Sequence, residues 1–152
     1  MRNELMTGKK FEKYIVTTLQ APDFGAEVTG NYNKFARRIL WIDDSLVDDS
    51  FQMNCSWYLK PMPPRDENSK GGEHIHETDE IIGFFSSDPD APYDLNGEIE
   101  FRIEDEEYII TNSCIIFIPK GIKHGMPFLR QVQKPIFHFT TVISGQWEPE
   151  YI

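Results

Sequence analysis

The sequence predicts an all-β protein, a sandwich or barrel of short strands, on three observations. Short runs rich in Ile, Val, Phe, Tyr and Thr recur from Tyr14 onward, broken by Pro, Gly, Asn and Asp. No segment carries a convincing helical repeat of three or more turns. Strands therefore do not alternate with helices, which argues against a parallel α/β sheet and for about ten short strands joined by short connections.

Taken in order, Met1 to Lys13 is mixed and charged, and reads as a short helix or an arm that packs on a neighbour. Ile39 to Ile42 is the first compact strand candidate. From Phe51 to Leu59 the residues Phe51, Met53, Cys55, Trp57 and Leu59 alternate with Gln52, Asn54, Ser56 and Tyr58, the period-two pattern of a strand with one apolar and one polar face. Glu80 to Phe85, Glu98 to Ile103, Glu107 to Thr111 and Ile136 to Ile143 follow. Cys114 to Ile118 is a continuous apolar run, which predicts burial on both sides. Turn signals separate these runs: Pro61-Met62-Pro63-Pro64, Gly71-Gly72, Asp88-Pro89-Asp90-Ala91-Pro92, Asn96-Gly97 and Pro119-Lys120-Gly121.

The chain has 152 residues, enough for one domain with a real core, and 13% of them are aromatic, too many for a disordered chain. A net charge of −10 opposes docking on nucleic acid or anionic lipid, both of which select for Lys and Arg. The densest acidic cluster, Asp43, Asp44, Asp48 and Asp49, reads as a solvated loop. Cys55 and Cys114 both fall in predicted strands and read as reduced thiols. No apolar run approaches the ~20 residues of a membrane span and the N-terminus lacks the apolar core of a secretory signal, so the expected location is the cytoplasm.

Chemistry concentrates in the histidines. His74 and His76 lie two apart, so in a strand both imidazoles project from one face. Glu80 follows across a bend where Thr78 and Asp79 can turn the chain, and His124 arrives from a separate segment. Imidazole and carboxylate donors suit one divalent transition metal (Fe, Mn, Ni, Co, Cu or Zn) better than Ca or Mg, and four protein ligands on an octahedral ion leave about two positions open for a small-molecule substrate.

Two short motifs in this region resemble those of the cupins. The first reads Gly71-Gly72-Glu73-His74-Ile75-His76-Glu77-Thr78-Asp79-Glu80-Ile81-Ile82-Gly83 and the second Pro119-Lys120-Gly121-Ile122-Lys123-His124. The lead glycines stand closer to the first His than the family pattern has them, and Ser113 replaces the Gly that opens the second motif; neither departure removes a ligand. The resemblance implies an antiparallel jelly-roll barrel (a double-stranded β-helix) with His74, His76, Glu80 and His124 as metal ligands. It spans about Phe51 to Ile143. That divides the chain into an N-terminal extension, 1–50, which packs on or continues the barrel, the barrel at 51–145, and a tail at 146–152. A longer loop, Ser86 to Gly97, separates the motifs.

Glu77 and Asp79 beside the ligands are candidates for acid–base work, with outward-pointing turn residues as the plainer reading, and His138 on a late strand is a candidate base or a structural histidine. Tyr58, Trp57, Phe84, Phe117, Met126 and Phe128 are candidates for a pocket wall, with core as the plainer reading, and Glu98, Glu100 and Arg102 read as a solvent-facing strand. The expected function is a metal-dependent enzyme acting on a small oxygen-rich organic molecule by isomerase, lyase or hydrolase chemistry. The alternatives are an iron-dependent dioxygenase and a non-catalytic small-molecule-binding protein. A homodimer is expected, because a lone barrel leaves strand edges that a second subunit can cover.

Overall fold

The computed structural model describes residues 8–66 and 72–152. Of the expected N-terminal arm, residues 1–7 lie outside the described residues, as does Gly71 of the leading glycine pair. Among the described residues a single 3-10 turn, Glu12–Tyr14, and one seven-residue helix, α1 (Ala26–Tyr32), precede ten strands. These are β1 (Ala36–Ile42), β2 (Gln52–Tyr58), β3 (His74–Ile75), β4 (Glu80–Ser86), β5 (Asp94–Ile103), β6 (Glu106–Asn112), β7 (Cys114–Ile118), β8 (Phe128–Val132), β9 (Ile136–Val142) and β10 (Glu150–Tyr151). No helix among them is long and apolar enough to cross a membrane.

Strands were expected from Tyr14, but the first begins at Ala36. β1, which precedes residue 51, pairs with β2 at the edge of the main sheet. That sheet runs β1-β2-β9-β4-β7, antiparallel throughout. Facing it are β6-β5-β8 and the short pair β10-β3, stitched together where His124 bridges to both His74 and Ile103. The core between the layers holds Ile82, Phe84, Leu95, Ile99, Phe101, Ile118, Leu129 and Ile136, each at most 2% exposed. The fold is an all-β jelly roll.

Two strands depart from what their patterns suggest. β2 turns its polar residues inward: Gln52, Asn54, Ser56 and Tyr58 are buried, while Phe51 and Leu59 are exposed. The register explains what lies opposite them, because Gln52 pairs with Val142, Asn54 with Thr140 and Ser56 with His138, all on the interior face of β9. Buried polar groups need partners, and several are met locally: the Tyr32 hydroxyl donates to Ser56 Oγ at 2.6 Å and Arg38 Nε to Asn54 Oδ1 at 2.8 Å. The second departure is β7, expected to be buried on both sides. It is an edge strand; Ile116 and Ile118 face the core, whereas Ile115 and Phe117 are 63% and 56% exposed. Its continuous apolar run thus serves two faces, one of them on the outside of the barrel.

Around the rim, electrostatics hold the loops. Of the acidic cluster, Asp43 is not solvated; it is buried and accepts hydrogen bonds from Trp41 Nε1 and from the Ser45 backbone and hydroxyl. Burial alone would raise its pKa, but those donors outweigh burial and hold its carboxyl below the usual value. Glu98 and Glu100 pair with Arg130, and Glu100 also with Arg65, so that strand face is an ion-pair ladder. The two cysteines are free. Cys114 shares a row with inward-facing Phe84, and Cys55 with outward-facing Phe139, so they lie on opposite faces of one sheet.

Candidate metal centre

The backbone places the four donors before any side chain is considered. His74 N–H donates to the His124 carbonyl at 2.9 Å and His124 N–H returns the bond at 3.0 Å, which sets the two imidazoles side by side with centroids 4.3 Å apart. His76 follows on the same face two residues on. Its carbonyl accepts from Gly121 N at 2.9 Å, tying the first motif to the second. Gly121 has a φ of +79°, which only glycine adopts without strain. Asp79 Oδ1 accepts from Lys120 N, fixing the bend that brings Glu80 to the start of β4.

Each imidazole is then turned by a backbone carbonyl. His74 Nδ1 meets the Gly72 carbonyl at 2.7 Å, His124 Nδ1 that of Ile122 at 3.0 Å, and His76 Nδ1 that of Glu148 at 3.3 Å. A carbonyl only accepts, so each Nδ1 carries the proton and each Nε2 presents a lone pair inward. Gly72 has a positive φ, and a side chain there would strike Met126. The donor atoms of His74, His76, Glu80 and His124 all lie within 4.8 Å of one another, and the four residues are 2–3% exposed.

This is a set of acceptors aimed at one point. His76 and His124 Nε2 lie 3.0 and 2.9 Å from the same oxygen, Glu80 Oε2, and His76 Nε2 has no hydrogen-bond partner. Lone pairs facing a carboxylate repel unless a cation stands between them, and three imidazoles with one carboxylate are the donors a transition-metal ion takes, so the residues fit such an ion. In the ion's absence protons take its role. Burial pushes Glu80 up, but the hydrogen bond from His124 and the close His76 imidazole reverse this and hold it at about 2. Burial likewise lowers His124, and the Glu80 contact overrides it to raise its pKa, whereas burial prevails at His74 and lowers it.

The remaining sequence candidates fall elsewhere. Glu77 is exposed on the turn and is not brought to the ligands. His138 is buried but stacked between Tyr58 and Phe84, with centroids 4.7 and 5.1 Å away. It stands four residues from Val142, the β9 partner of Glu80, hence about 13 Å along the strand. Tyr58 and Phe84 belong to the core, whereas Trp57 packs outside against Phe137 and Phe117 and Met126 are exposed. Sequence reasoning missed the segment 145–152. Trp147 lies beside His74 and His76, Tyr151 beside His74, and β10 pairs with β3 so that Tyr151 stands opposite His74. No local signal marks that role, because it arises wholly from tertiary pairing.

Fold and donor set together define a metal-binding β-barrel. No protein-family model matches the sequence, and no curated protein matches it. Among solved structures, the chain is similar to Peruvianin-I, a cysteine peptidase from Thevetia peruviana latex, at 12% identity over 99% of this chain and 83% of that one, with a TM-score of 0.54. It is similar to an oxalate oxidase solved in complex with glycolate at 16% identity over 94% of this chain, with a TM-score of 0.50, and spans 64% of that protein's length. A cupin protein from Bacteroides fragilis aligns at 15% identity over 86% of this chain and 88% of that one, with a TM-score of 0.45. At such identities the likeness is one of architecture. The chain has the cupin fold.

Proposed function

We propose that this chain is a metal-dependent enzyme acting on a small oxygen-rich organic molecule, by the proton or enolate chemistry of an isomerase, lyase or hydrolase. The observation that carries the reading is the convergence of three imidazole lone pairs and one carboxylate on a single buried point. Bound there, the ion supplies a Lewis acid that polarises a carbonyl or steadies an enolate oxygen. The chain's own residues do the rest. Three backbone carbonyls hold the imidazoles in one tautomer, Glu80 supplies the compensating charge, and Trp147 and Tyr151 beside the histidines keep water from the ligand cluster.

The same donors suit iron, and with iron an oxygenation becomes the second reading. Elemental analysis of protein purified without chelator, followed by turnover assays on hydroxy- and oxo-acids with and without oxygen, separates them. Activity independent of oxygen with manganese, nickel, cobalt or zinc supports the first reading. Iron with strict oxygen dependence replaces it by the second. A loaded centre that turns over nothing leaves a small-molecule-binding protein, and a chain that cannot be loaded with any of these metals sinks all three.

We further propose a homodimer through the outer face of the β1-β2-β9-β4-β7 sheet. Phe117 and Ile115 sit in the rows of Ile81 and Gly83, which continue through Thr141 and Phe139 to Met53 and Cys55; the next row holds Phe85, Phe137 and Trp57. Five strands of this length cover roughly 500 Å² in plan, an apolar heart for an interface of about 800 Å² per partner. Light scattering at micromolar concentration should show twice the chain mass, and Phe117→Asp should halve it with the fold intact by circular dichroism. A wild-type monomer under those conditions removes the proposal.

A further inference from the structure

Three buried side-chain atoms among the described residues have no hydrogen-bond partner: His76 Nε2 and both amide atoms of Gln52. The first is a metal lone pair. The other two belong to a side chain that is 0% exposed, where Leu would fill nearly the same space without stranding a donor and an acceptor. Position gives the amide a purpose. Gln52 pairs with Val142, and Val142 with Glu80, so Gln52 and the metal-ligating carboxylate stand in one cross-strand row, about 10 Å apart at the backbone, and both point into the barrel.

The next inward residue on β2 extends the pattern. Asn54 Oδ1 accepts from Arg38 Nε at 2.8 Å, which assigns the other end of its amide, the nitrogen, as a donor. The Arg38 guanidinium is itself held among the rings of Phe24, Tyr32 and Trp41, 4.8, 4.7 and 5.4 Å from their centroids, so a fixed positive charge backs this wall.

Resting on the metal-enzyme reading above, we propose that Gln52, assisted by Asn54, is the specificity-determining residue of the site, and that it selects a small hydroxy- or oxo-carboxylate. One oxygen of such a ligand takes an open position on the ion. The remaining carboxylate oxygens accept from the two amides, and a hydroxyl donates to Gln52 Oε1. An uncharged diol leaves the amide donors and the Arg38 charge unanswered, and a simple carboxylate leaves Oε1 unpaired.

The test uses the full chain loaded with Co²⁺, whose visible spectrum reports each change at the ion. Lactate is titrated against two three-carbon controls, propionate, which lacks the hydroxyl, and propane-1,2-diol, which lacks the charge. Lactate should perturb the spectrum at lower concentration than either. In Gln52→Leu, Co²⁺ stoichiometry should persist and Tm should equal or exceed that of the wild type, while the lactate Kd rises about tenfold or more and the preference over propionate narrows. Gln52→Met provides the same comparison should the branched side chain disturb packing. Unchanged lactate affinity in these variants overturns the proposal, as does a wild type that ignores lactate, or a Tm that drops while selectivity stays. A chain that takes up no Co²⁺ fails the metal reading first, and this proposal with it.

Discussion

Substituting Glu80 by Gln should strip the ion from the protein, with metal content falling from stoichiometric to a trace on elemental analysis. Glu80 is the one anionic donor in the cluster, and in Gln an amide oxygen of nearly equal size replaces a full charge. Losing a mere outer partner of a ligand costs about 10–100-fold in metal affinity, and losing a ligand should cost more. The variant also lacks the contact that raises His124 and holds Glu80 at about 2. In the metal-free wild type that depressed carboxylate contributes stability above its ordinary value of 4.5, a contribution lost as pH falls toward about 2. Metal-free Glu80→Gln should therefore melt below metal-free wild type near neutral pH and show a flatter profile in that acid window. Full retention of the ion by the variant would remove Glu80 from the ligand set.

Acid should unfold the protein earlier still, through His138. Burial pushes this imidazole down to about 4 from its usual 6.5, with a hydrogen bond to the Gly83 carbonyl only partly opposing the effect. Between those values the unfolded chain binds a proton that the folded chain refuses. Stability must then decline as pH falls from 6.5 to about 4, by on the order of 3 kcal/mol. Urea unfolding of wild type and His138→Phe across that window isolates the contribution, because the other titrating groups cancel in the comparison. Phe retains an aromatic surface against Tyr58 and Phe84 and should flatten the decline. Parallel profiles for the two proteins would show that His138 does not titrate as its burial requires.

The four residues that converge in the structure were legible in sequence because their logic is local: two residues apart on a strand, a bend, and a Pro-Lys-Gly turn whose glycine needs a positive φ. β7 was legible to the residue, Cys114–Ile118, for its unbroken apolar run. Its surroundings were not, since an apolar face looks the same in sequence whether it meets a core or a partner. β2 shows the converse. Its alternation was plain, but which face turns inward depends on Arg38, His138 and the ligand row, all distant in sequence. α1 escaped notice because seven residues make only about two turns, with Gly30 among them and no side-chain cap at Gly25. β3 and β10 are two-residue pairings that only the finished fold defines.

Such pairings also set an order in time. All four donors lie within residues 74–124, but the carbonyl that turns His76 belongs to residue 148, so the site is completed only when the 145–152 segment docks. Before it docks, the Glu148 carbonyl does not hold the His76 tautomer, so three donors are oriented and one is free to rotate. Docking of the 145–152 segment, with β10 paired to β3, then completes the orientation of the four donors. A bound ion would therefore exchange faster from a chain in which this segment is undocked than from one in which it is closed.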